Sequence, residues 1–287
     1  MKLNKLSVVL ATRNEDKNIG ECLASVKAIA DEIIVADEES SDKTREIAES
    51  YGAKVIKVNH SPVFHISKQK ALDEAGSEWI LQLDADERVT PNLRDEIRKV
   101  IGMTDAEIEK YQGTLKNLRL FKRHKKIIEE RDGEFIKEGS FAGFFIPRLN
   151  YFLGRYLKYG GVYPDGVIRL VKKGFANFPQ KDVHELIKVE GKVGWLQNDL
   201  IHMADTTFKR YLQRNSYYID LIVSDMKNDK LKKDLRQFIN YVLVKPIWWF
   251  FLTQLRHKGI LDGPQGMVFS FFSALRFSRA YLRYLRK

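Results

Sequence analysis

The stretch Trp79-Ile80-Leu81-Gln82-Leu83-Asp84-Ala85-Asp86-Glu87 decides the fold, because a short apolar strand here leads directly into acidic residues. Side chains alternate along a strand, so Asp84 and Asp86 are expected on the same side, with the small Ala85 between them. Two neighbouring carboxylates repel each other unless a cation lies between them, and hard oxygen ligands suit Mg²⁺ or Mn²⁺. The stretch predicts a strand that ends in a metal site, and a solvated acidic turn is the alternative.

Three further apolar runs precede this strand, at 6–12, 32–36 and 54–58. Helical segments separate them, so strands and helices alternate along the first hundred residues. This alternation predicts βαβ units and a mainly parallel sheet. The fold class expected from the sequence is therefore α/β.

Polar residues follow three of these strands, at the edge where a parallel sheet binds its ligands. They are Thr12, Arg13, Asn14 and Glu15 after the first strand, Asp37 after the second, and Asp84 and Asp86 after the fourth. Because three clusters converge on one edge, a ligand site is favoured over a solvated turn. No Gly-x-Gly-x-x-Gly follows the first strand, which argues against a dinucleotide-binding site.

The domain organisation follows from changes in composition. Residues 102–140 are dense in mixed charge and predict a solvated helical or mobile insertion. Strand-like runs and turn-rich loops return at 141–204, and helical patterns occupy 205–287. We predict one α/β domain at 1–204, divided by the insertion into halves at 1–101 and 141–204, with a helical region at 205–287.

The net charge of +11 is concentrated in that last region. From Asp205 onward there are 16 Lys and Arg, 6 Asp and no Glu, a balance of +10. Such a concentration points to a polyanionic surface, either nucleic acid or anionic lipid. Four arginines (276, 279, 283 and 286) share one face of a helix rich in Phe and Leu, which favours a helix lying in a membrane interface. A helix docked on the protein's own core is the alternative.

The cellular location is also an expectation from the sequence. The apolar runs of the tail are too short to cross a bilayer, the start lacks a long apolar signal region, and Cys22 stands alone. We expect a cytoplasmic protein that is peripheral on the cytoplasmic face of the inner (plasma) membrane.

The chain resembles the family 2 glycosyltransferases of the GT-A fold. The matching features are Thr12-Arg13-Asn14-Glu15, the strand ending at Asp37, and the stretch from Trp79 to Glu87. Segments at 151–155, 159–165, 183–185, 245–248 and 259–263 resemble more narrowly the bacterial lipopolysaccharide core glycosyltransferase branch. The expected architecture is thus a GT-A mixed sheet with a C-terminal helical, membrane-associating region.

The resemblance implies a nucleotide-diphosphate sugar donor, most simply a UDP-sugar, and inversion at the anomeric carbon. It assigns the base of the nucleotide to Asp37, the metal to Asp86, and the ribose or the metal shell to Asp84. Lys68 stands where the family often has a basic residue that faces the diphosphate, although the Asn expected beside it is Gln69. The implied donor-binding residues are Thr12, Arg13, Asn14, Glu15, Asp37, Lys68, Asp84 and Ala85.

Inverting transfer needs a base for the acceptor hydroxyl and positive charge against the departing diphosphate. The resemblance implies Glu185 as the base, and Asp165, at the end of a turn-rich loop, is the rival. The implied cation, Mg²⁺ or Mn²⁺, would be held by Asp86 and Asp84. His202 lies just before the predicted helix that opens at Thr206 or Thr207, where a third metal ligand could return from the second half of the chain, and a packed core histidine is the alternative.

The predicted function is therefore an inverting glycosyltransferase whose acceptor is a hydroxyl of a lipid-linked or lipopolysaccharide-core-type glycan at an anionic membrane surface. A nucleotidyltransferase is one alternative, but the loop after the first strand lacks the glycines and lysine that such an enzyme favours. A non-enzymatic basic protein that binds membranes or nucleic acid is another. No nucleic-acid-binding motif stands out, so we expect no nucleic acid partner.

Overall fold

The computed structural model describes residues 4–179 and 187–286, with every side chain except that of Asp132. The chain forms two compact units. The sheet unit comprises 1–148 and 164–202, and the helical unit comprises 149–163 and 203–287. No helix in the described ranges is both long and apolar enough to cross a bilayer.

The strands are β1 (Leu6–Thr12), β2 (Glu32–Asp37), β3 (Lys54–Lys57), β4 (Trp79–Leu83), β5 (Glu87–Val89), β6 (Phe141–Phe152), β7 (Arg155–Leu157), β8 (Asp165–Lys172), β9 (Ala176–Asn177), β10 (Lys188–Val189), β11 (Lys192–Trp195) and β12 (Leu200–Asp205). The α-helices are α1 (Ile19–Val26), α2 (Thr44–Ser50), α3 (His65–Asp73), α4 (Pro91–Ile101), α5 (Asp105–Gly113), α6 (Leu118–Asp132), α7 (Phe208–Asn228), α8 (Leu235–Ile239), α9 (Lys245–Phe251) and α10 (Gly263–Leu285). π-Helical turns at Asn240–Val244 and Leu252–Arg256 flank α9, and a 3₁₀ turn at Gly259–Asp262 precedes α10.

The main sheet has the strand order β3-β2-β1-β4-β8-β6-β12-β5. Strands β1 to β4 pair in parallel, as predicted for βαβ units. Strand β8 then pairs antiparallel to both β4 and β6, so the sheet is mixed. The predicted α/β class with a mixed sheet is confirmed. This topology brings the carboxyl ends of β1, β2 and β4 to one edge.

Burial on both faces explains the composition of the central strands. Every residue of β1 and β4 is buried, which matches the continuous apolar runs that parallel strands show when helices cover both faces. Capping side chains set several helix starts: Thr90 Oγ1 accepts from the Leu93 amide before Pro91 begins α4, and Thr104 with Glu107 forms a capping box on α5.

The charged segment 102–140 is helical, as one of the two predicted alternatives has it, but it is not a solvated insertion. It forms α5 and α6, and the apolar side of α6 enters the core through Phe121 and Ile128. Phe121 stacks on Trp195 with ring centroids 4.4 Å apart. The charges dominate the composition, but a helix needs only one apolar stripe in order to dock. The insertion is therefore part of the sheet unit.

The helical unit begins earlier than the predicted boundary at 205, because residues 149–163 belong to it. Phe152 and Leu157 pack with Tyr211 of α7, and the Asp262 carboxylate accepts the Tyr159 amide at 2.8 Å. Helix α10 packs on α7 in turn. Its arginine row is partly engaged there, since Arg283 pairs with Asp220 and Arg276 lies over the Tyr218 ring.

Candidate active site

The loop after β1 is tied to the loop after β2. Asn14 lies in the left-handed region (φ 54°), and its amide donates to Ser40 Oγ at 2.9 Å. The Ser41 amide donates to Asn14 Oδ1 at 2.9 Å, and the Glu15 amide donates to Thr44 Oγ1 at 2.7 Å. Asparagine tolerates this backbone conformation better than most residues. These bonds hold the predicted donor-binding loop 12–15 in one shape.

Two buried oxygens at the ends of β1 and β2 have no hydrogen-bond partner. Thr12 and Asp37 are partners in the β1–β2 register, and both are fully buried. Asp37 Oδ1 accepts from the Ser40 amide and lies 3.5 Å from Arg45, whereas Asp37 Oδ2 and Thr12 Oγ1 are unpaired. An unpaired buried acceptor is costly. These two atoms fit a ligand that brings hydrogen-bond donors.

Asp84 is enclosed by positive charge. Its Oδ1 lies 2.6 Å from the Lys68 ammonium, and its Oδ2 is bonded to the Arg169 guanidinium. Burial raises the pKa of Asp84, but the charges of Arg169 and Lys68 outweigh it and hold the pKa well below its ordinary value. The Asp84 carboxylate is ionised and already neutralised by side chains of the protein.

The ion pairs around Asp84 continue into a buried network. The Arg169 guanidinium also lies 2.8 Å from Glu87, which is fully buried, and Arg148 lies 3.4 Å from the same Glu87 oxygen. The second η-nitrogen of Arg148 then pairs with Asp165 at 2.8 Å. Lys68, Arg148 and Arg169 thus face three acids, Asp84, Glu87 and Asp165, and the charges balance.

Asp86 has a different environment from Asp84. Strand β4 ends at Leu83, so the strand alternation that predicted a shared side for the two acids does not extend to them. Strand β5 pairs antiparallel with β12, with Glu87 opposite His202. This register leaves the Asp86 carboxylate 3.6 Å from His202 Nε2. The predicted third ligand therefore lies beside Asp86, although its role stays a prediction.

The fit of a divalent cation can be judged from these atoms. Ligands of Mg²⁺ bind at about 2.1 Å, so neighbouring ligand atoms lie ~3 Å apart, and 3.6 Å needs only a small adjustment. Across 4–179 and 187–286, no group of three or more His, Cys, Asp or Glu is assembled as a metal site. Mg²⁺ ordinarily takes one or two carboxylates and completes its shell with water and phosphate oxygens. Asp86 with His202 fits a cation that the donor's diphosphate would share.

A small cavity of about 160 Å³ joins the ends of β1 and β4. Arg13, Glu15, Phe64 and the segment 84–86 line it. Whole-ligand pockets are larger, at about 300–1,000 Å³, so this cavity has room for only part of a ligand of that size. The cavity brings residues of two predicted clusters, including Ala85, to one space.

Lys68 and Gln69 have different tasks on α3. Lys68 is largely buried below Asp84, near the Phe64 ring, while the Gln69 side chain accepts the Phe178 amide at 2.7 Å and donates to Asp73. Gln69 therefore links α3 to the segment after β9. This structural link accounts for the presence of Gln where the family has Asn.

The two predicted bases are Glu185 and Asp165. Glu185 lies outside the described residues, so its prediction stays as it was. Asp165 begins β8 and is paired with Arg148, as described above. A carboxylate held in that pair is occupied by a structural partner, which makes Asp165 the weaker candidate for taking a proton.

Sequence reasoning missed Glu87 and Arg148 as parts of the site. The available signal was a lone arginine in the apolar strand Phe141–Phe152, since charged residues are seldom buried without a partner. His60 and Glu38 were missed as well: His60 lies 2.7 Å from the predicted Arg13 and 2.8 Å from Glu38. The pairing of Arg148 with Glu87 and Asp165 depends on which strands lie side by side, and the sequence alone does not show this.

Comparisons with known proteins agree on one family. The family model described as "Glycosyl transferase family 2" matches residues 7–163, more than half of the chain. An uncharacterised glycosyltransferase of Rickettsia felis is 27% identical over 292 residues, covering 96% of this chain and 89% of the relative. The lipopolysaccharide core biosynthesis glycosyltransferase LpsC of Rhizobium meliloti is 23% identical over 288 residues, covering 94% and 91%.

Among solved structures, the chain is similar to glucosyl-3-phosphoglycerate synthase from Mycobacterium tuberculosis in complex with Mn²⁺ and UDP-glucose. The identity is 26% and the TM-score 0.27, over 30% of this chain and 34% of that one. The chain thus matches about a third of the length of that structure. From the family match, the protein belongs to glycosyl transferase family 2, with a GT-A mixed sheet followed by C-terminal helices.

Proposed function

We propose that this glycosyltransferase transfers a sugar, with inversion, from a nucleotide-diphosphate donor to a hydroxyl of a lipid-linked or lipopolysaccharide-core-type glycan. One observation carries the proposal. Asp86 lies 3.6 Å from His202 and borders a cavity that is also lined by Asp84, and Asp84 is neutralised by Lys68 and Arg169. The two acids therefore have different roles: Asp86 would bind the metal ion, and Asp84 holds Lys68 and Arg169 in place.

The nucleotide would bind at the ends of β1 and β2. The unpaired Asp37 Oδ2 and Thr12 Oγ1 supply acceptors for N–H or O–H groups of a base or ribose, and the loop 12–15 supplies ordered backbone. A uracil ring offers one such N–H, which is why a UDP-sugar is our first choice of donor.

The diphosphate would lie at the cavity near Arg13 and the segment 84–86. Mg²⁺ or Mn²⁺ held by Asp86 and His202 would supply positive charge against the leaving diphosphate. Lys68 and Arg169 hold the Asp84 carboxylate beside the cavity, and the buried Glu87 orients Arg169. Their positions are set before the donor binds, so little reorganisation is needed during transfer.

The acceptor hydroxyl needs a base, and we keep Glu185 for this role. Asp165 is already bonded to Arg148, which supports the choice of Glu185 over its rival. The name of LpsC from Rhizobium meliloti refers to lipopolysaccharide core biosynthesis, and that relative matches nearly the whole chain. A glycan of this class is therefore the acceptor that we propose.

Thermal shift with a panel of nucleotide sugars, with and without Mn²⁺, tests the donor and the cation. At a hundredfold excess over Kd a ligand stabilises the native state by about 2.7 kcal/mol, which corresponds to a rise in Tm of roughly 5 °C. We expect this rise for a UDP-sugar with Mn²⁺, and we expect Asp86→Ala to abolish the part that depends on Mn²⁺.

The matched control is Asp95→Ala, which removes an exposed acid of α4. It should keep the full shift. If Asp86→Ala keeps the Mn²⁺-dependent shift as well, the metal assignment is wrong. Release of UDP rather than pyrophosphate, in the presence of an amphiphilic glycan acceptor, separates sugar transfer from nucleotidyl transfer.

A further inference from the structure

The helical unit exposes a row of large apolar side chains along one side of the continuous helical segment 235–256. The row repeats every four residues and consists of Leu235, Ile239, Leu243, Ile247, Phe251 and Leu255, exposed by 73%, 43%, 52%, 56%, 54% and 65%. Trp248 beside it is 57% exposed. Soluble proteins rarely leave so much contiguous apolar surface without a partner for it. We call these six residues and Trp248 the apolar face.

The π-helical turns keep this row on one side. In a regular α-helix, with 3.6 residues per turn, residues spaced by four drift steadily around the axis. A π turn closes over one residue more than an α turn, so it rotates the chain back. The turns at Asn240–Val244 and Leu252–Arg256 alternate with α8 and α9 and offset the drift. The row therefore stays straight over twenty residues, or about 30 Å.

The opposite side of the segment is fixed by packing against α10. The buried Gln254 side chain donates to Ser270 Oγ at 2.6 Å and to the Gly266 carbonyl at 3.0 Å. The Trp249 indole donates to Ser273 Oγ at 3.1 Å. Neighbouring Pro246 and Thr253 are buried too. The apolar face is thus the outward side of an ordered helix.

Positive charge flanks the apolar face at both ends. Lys232, Lys233 and Arg236 are exposed at its start, and Arg256 and Lys258 at its end. From 235 to 261 the sequence contains no Asp or Glu. Each such cation near an anionic lipid surface contributes about 1 kcal/mol of attraction. A second copy of this chain would bring the same positive rim and be repelled. The apolar face is mostly aliphatic, with Phe251 and Trp248 as its two aromatic side chains, so it gives nucleic acid bases few rings to stack on.

We propose that the apolar face lies in the interface of an anionic lipid bilayer, with the segment 235–256 parallel to the membrane plane and the flanking cations among the lipid phosphates. Apolar area and basic charge combine in this way in interfacial helices. The proposal moves the contact from the arginine row of α10, where Arg276 and Arg283 contact α7, to the preceding helix.

Sedimentation with vesicles tests the apolar face, using the full chain without donor or acceptor. Failure of this test leaves the proposed transfer activity standing, and failure of transfer leaves this proposal standing. The vesicles contain phosphatidylglycerol and phosphatidylethanolamine, with pure phosphatidylcholine for comparison. The variant Ile247→Glu/Phe251→Glu should bind anionic vesicles at least about tenfold more weakly than the natural chain, because it replaces two exposed apolar side chains that would enter the acyl boundary with carboxylates.

The control variant Ile127→Glu/Phe175→Glu changes two side chains of the sheet unit that are 54% and 45% exposed. It should bind vesicles like the natural chain. All four positions are exposed, so circular dichroism and Tm should be unchanged within about 1 °C. As a second readout, the emission of Trp248 should shift to the blue on binding, and Trp248→Phe should remove most of that shift.

Three outcomes overturn the proposal. The natural chain does not sediment with anionic vesicles, or the Ile247→Glu/Phe251→Glu variant sediments as well as the natural chain. In the third, analytical ultracentrifugation finds a dimer that this variant abolishes, which assigns the face to a second copy. The proposal is supported if Ile247→Glu/Phe251→Glu loses binding to anionic vesicles and Ile127→Glu/Phe175→Glu keeps it.

Discussion

The sheet unit and the helical unit both concentrate arginine and lysine, but they use the charge in opposite ways. In the sheet unit, Arg169 is 7% exposed and pairs with Asp84 and Glu87. In the helical unit, residues such as Arg236 and Arg256 are exposed beside apolar side chains, in the stretch 235–261, which contains no Asp or Glu. A buried basic side chain that is paired with an acid stabilises the fold, whereas an exposed basic side chain in a stretch without acids can attract an anionic partner.

This difference also separates the two acids of the Asp84-Ala85-Asp86 turn. The balanced network of the sheet unit takes up Asp84, whereas Asp86 lies beside His202. A divalent cation at Asp84 would have to displace Lys68 and Arg169, and at Asp86 it would join an imidazole. The comparison therefore predicts that the two acids respond differently when their neighbours change.

Arg169→Met should have the largest effect on stability. It leaves the buried Glu87 and the adjacent Asp84 without their shared guanidinium, and loss of one partner from a buried pair costs about 3–5 kcal/mol. Urea unfolding of the purified chain measures the change. Transfer activity should fall as well, because the carboxylates lose their fixed positions.

The matched control for that prediction is Arg283→Met in the helical unit. Arg283 and Asp220 form a pair whose side chains are 33% and 55% exposed. Exposed pairs contribute at most about 1 kcal/mol, so the variant should unfold nearly like the natural chain. Equal destabilisation by the two variants would contradict the contrast between enclosed and surface charge.

Phe121→Ala tests whether the charged segment 102–140 is structural in the sheet unit. Phe121 is fully buried and stacks on Trp195, so its truncation should destabilise the protein by about 3 kcal/mol. Ile127→Ala, on the exposed side of the same helix, should change the free energy of unfolding by less than about 0.5 kcal/mol. Similar small values for both would restore the interpretation of a solvated insertion.

His124→Gln should have the smallest effect, visible as a change in pH dependence. Burial lowers the pKa of His124 below its ordinary value of about 6.5, although the charge of Asp165 opposes this, and its Nε2 accepts the Gly166 amide. The unfolded chain therefore binds the proton first as the pH falls. The stability associated with the neutral ring is complete above pH ~6.5 and declines below it.

The measurement compares Tm at pH 7.5 and pH 5.5 in the natural chain and in His124→Gln, whose amide oxygen can still accept from Gly166. The fall in Tm from pH 7.5 to pH 5.5 should be smaller in the variant. The difference corresponds to less than about 1 kcal/mol in the free energy of unfolding. An identical loss in both proteins would show that His124 does not carry this pH dependence.

Much of the fold was predictable because its signals are local. The strands at 6–12, 32–37 and 79–83 are continuous apolar runs, and the polar residues that follow them mark the edge of a parallel sheet. The helices of 102–140 were harder to interpret, because charge dominates the composition while only a few residues such as Phe121 decide docking. Residues 149–163 carry no local signal of their unit, since their partners follow some fifty or more residues later.

By itself, the sequence determined the alternation of strands and helices, the convergence of three polar strand ends, and the concentration of positive charge in the last third. These depend on periodicity, on the geometry of parallel sheets and on composition. Only the tertiary structure decided that Asp84 is neutralised and that Asp86 lies beside His202, and only it decided which helix presents the apolar face. Ion pairs between distant strands and the burial of one helix side depend on which elements meet, and that information is not contained in any single stretch of the chain.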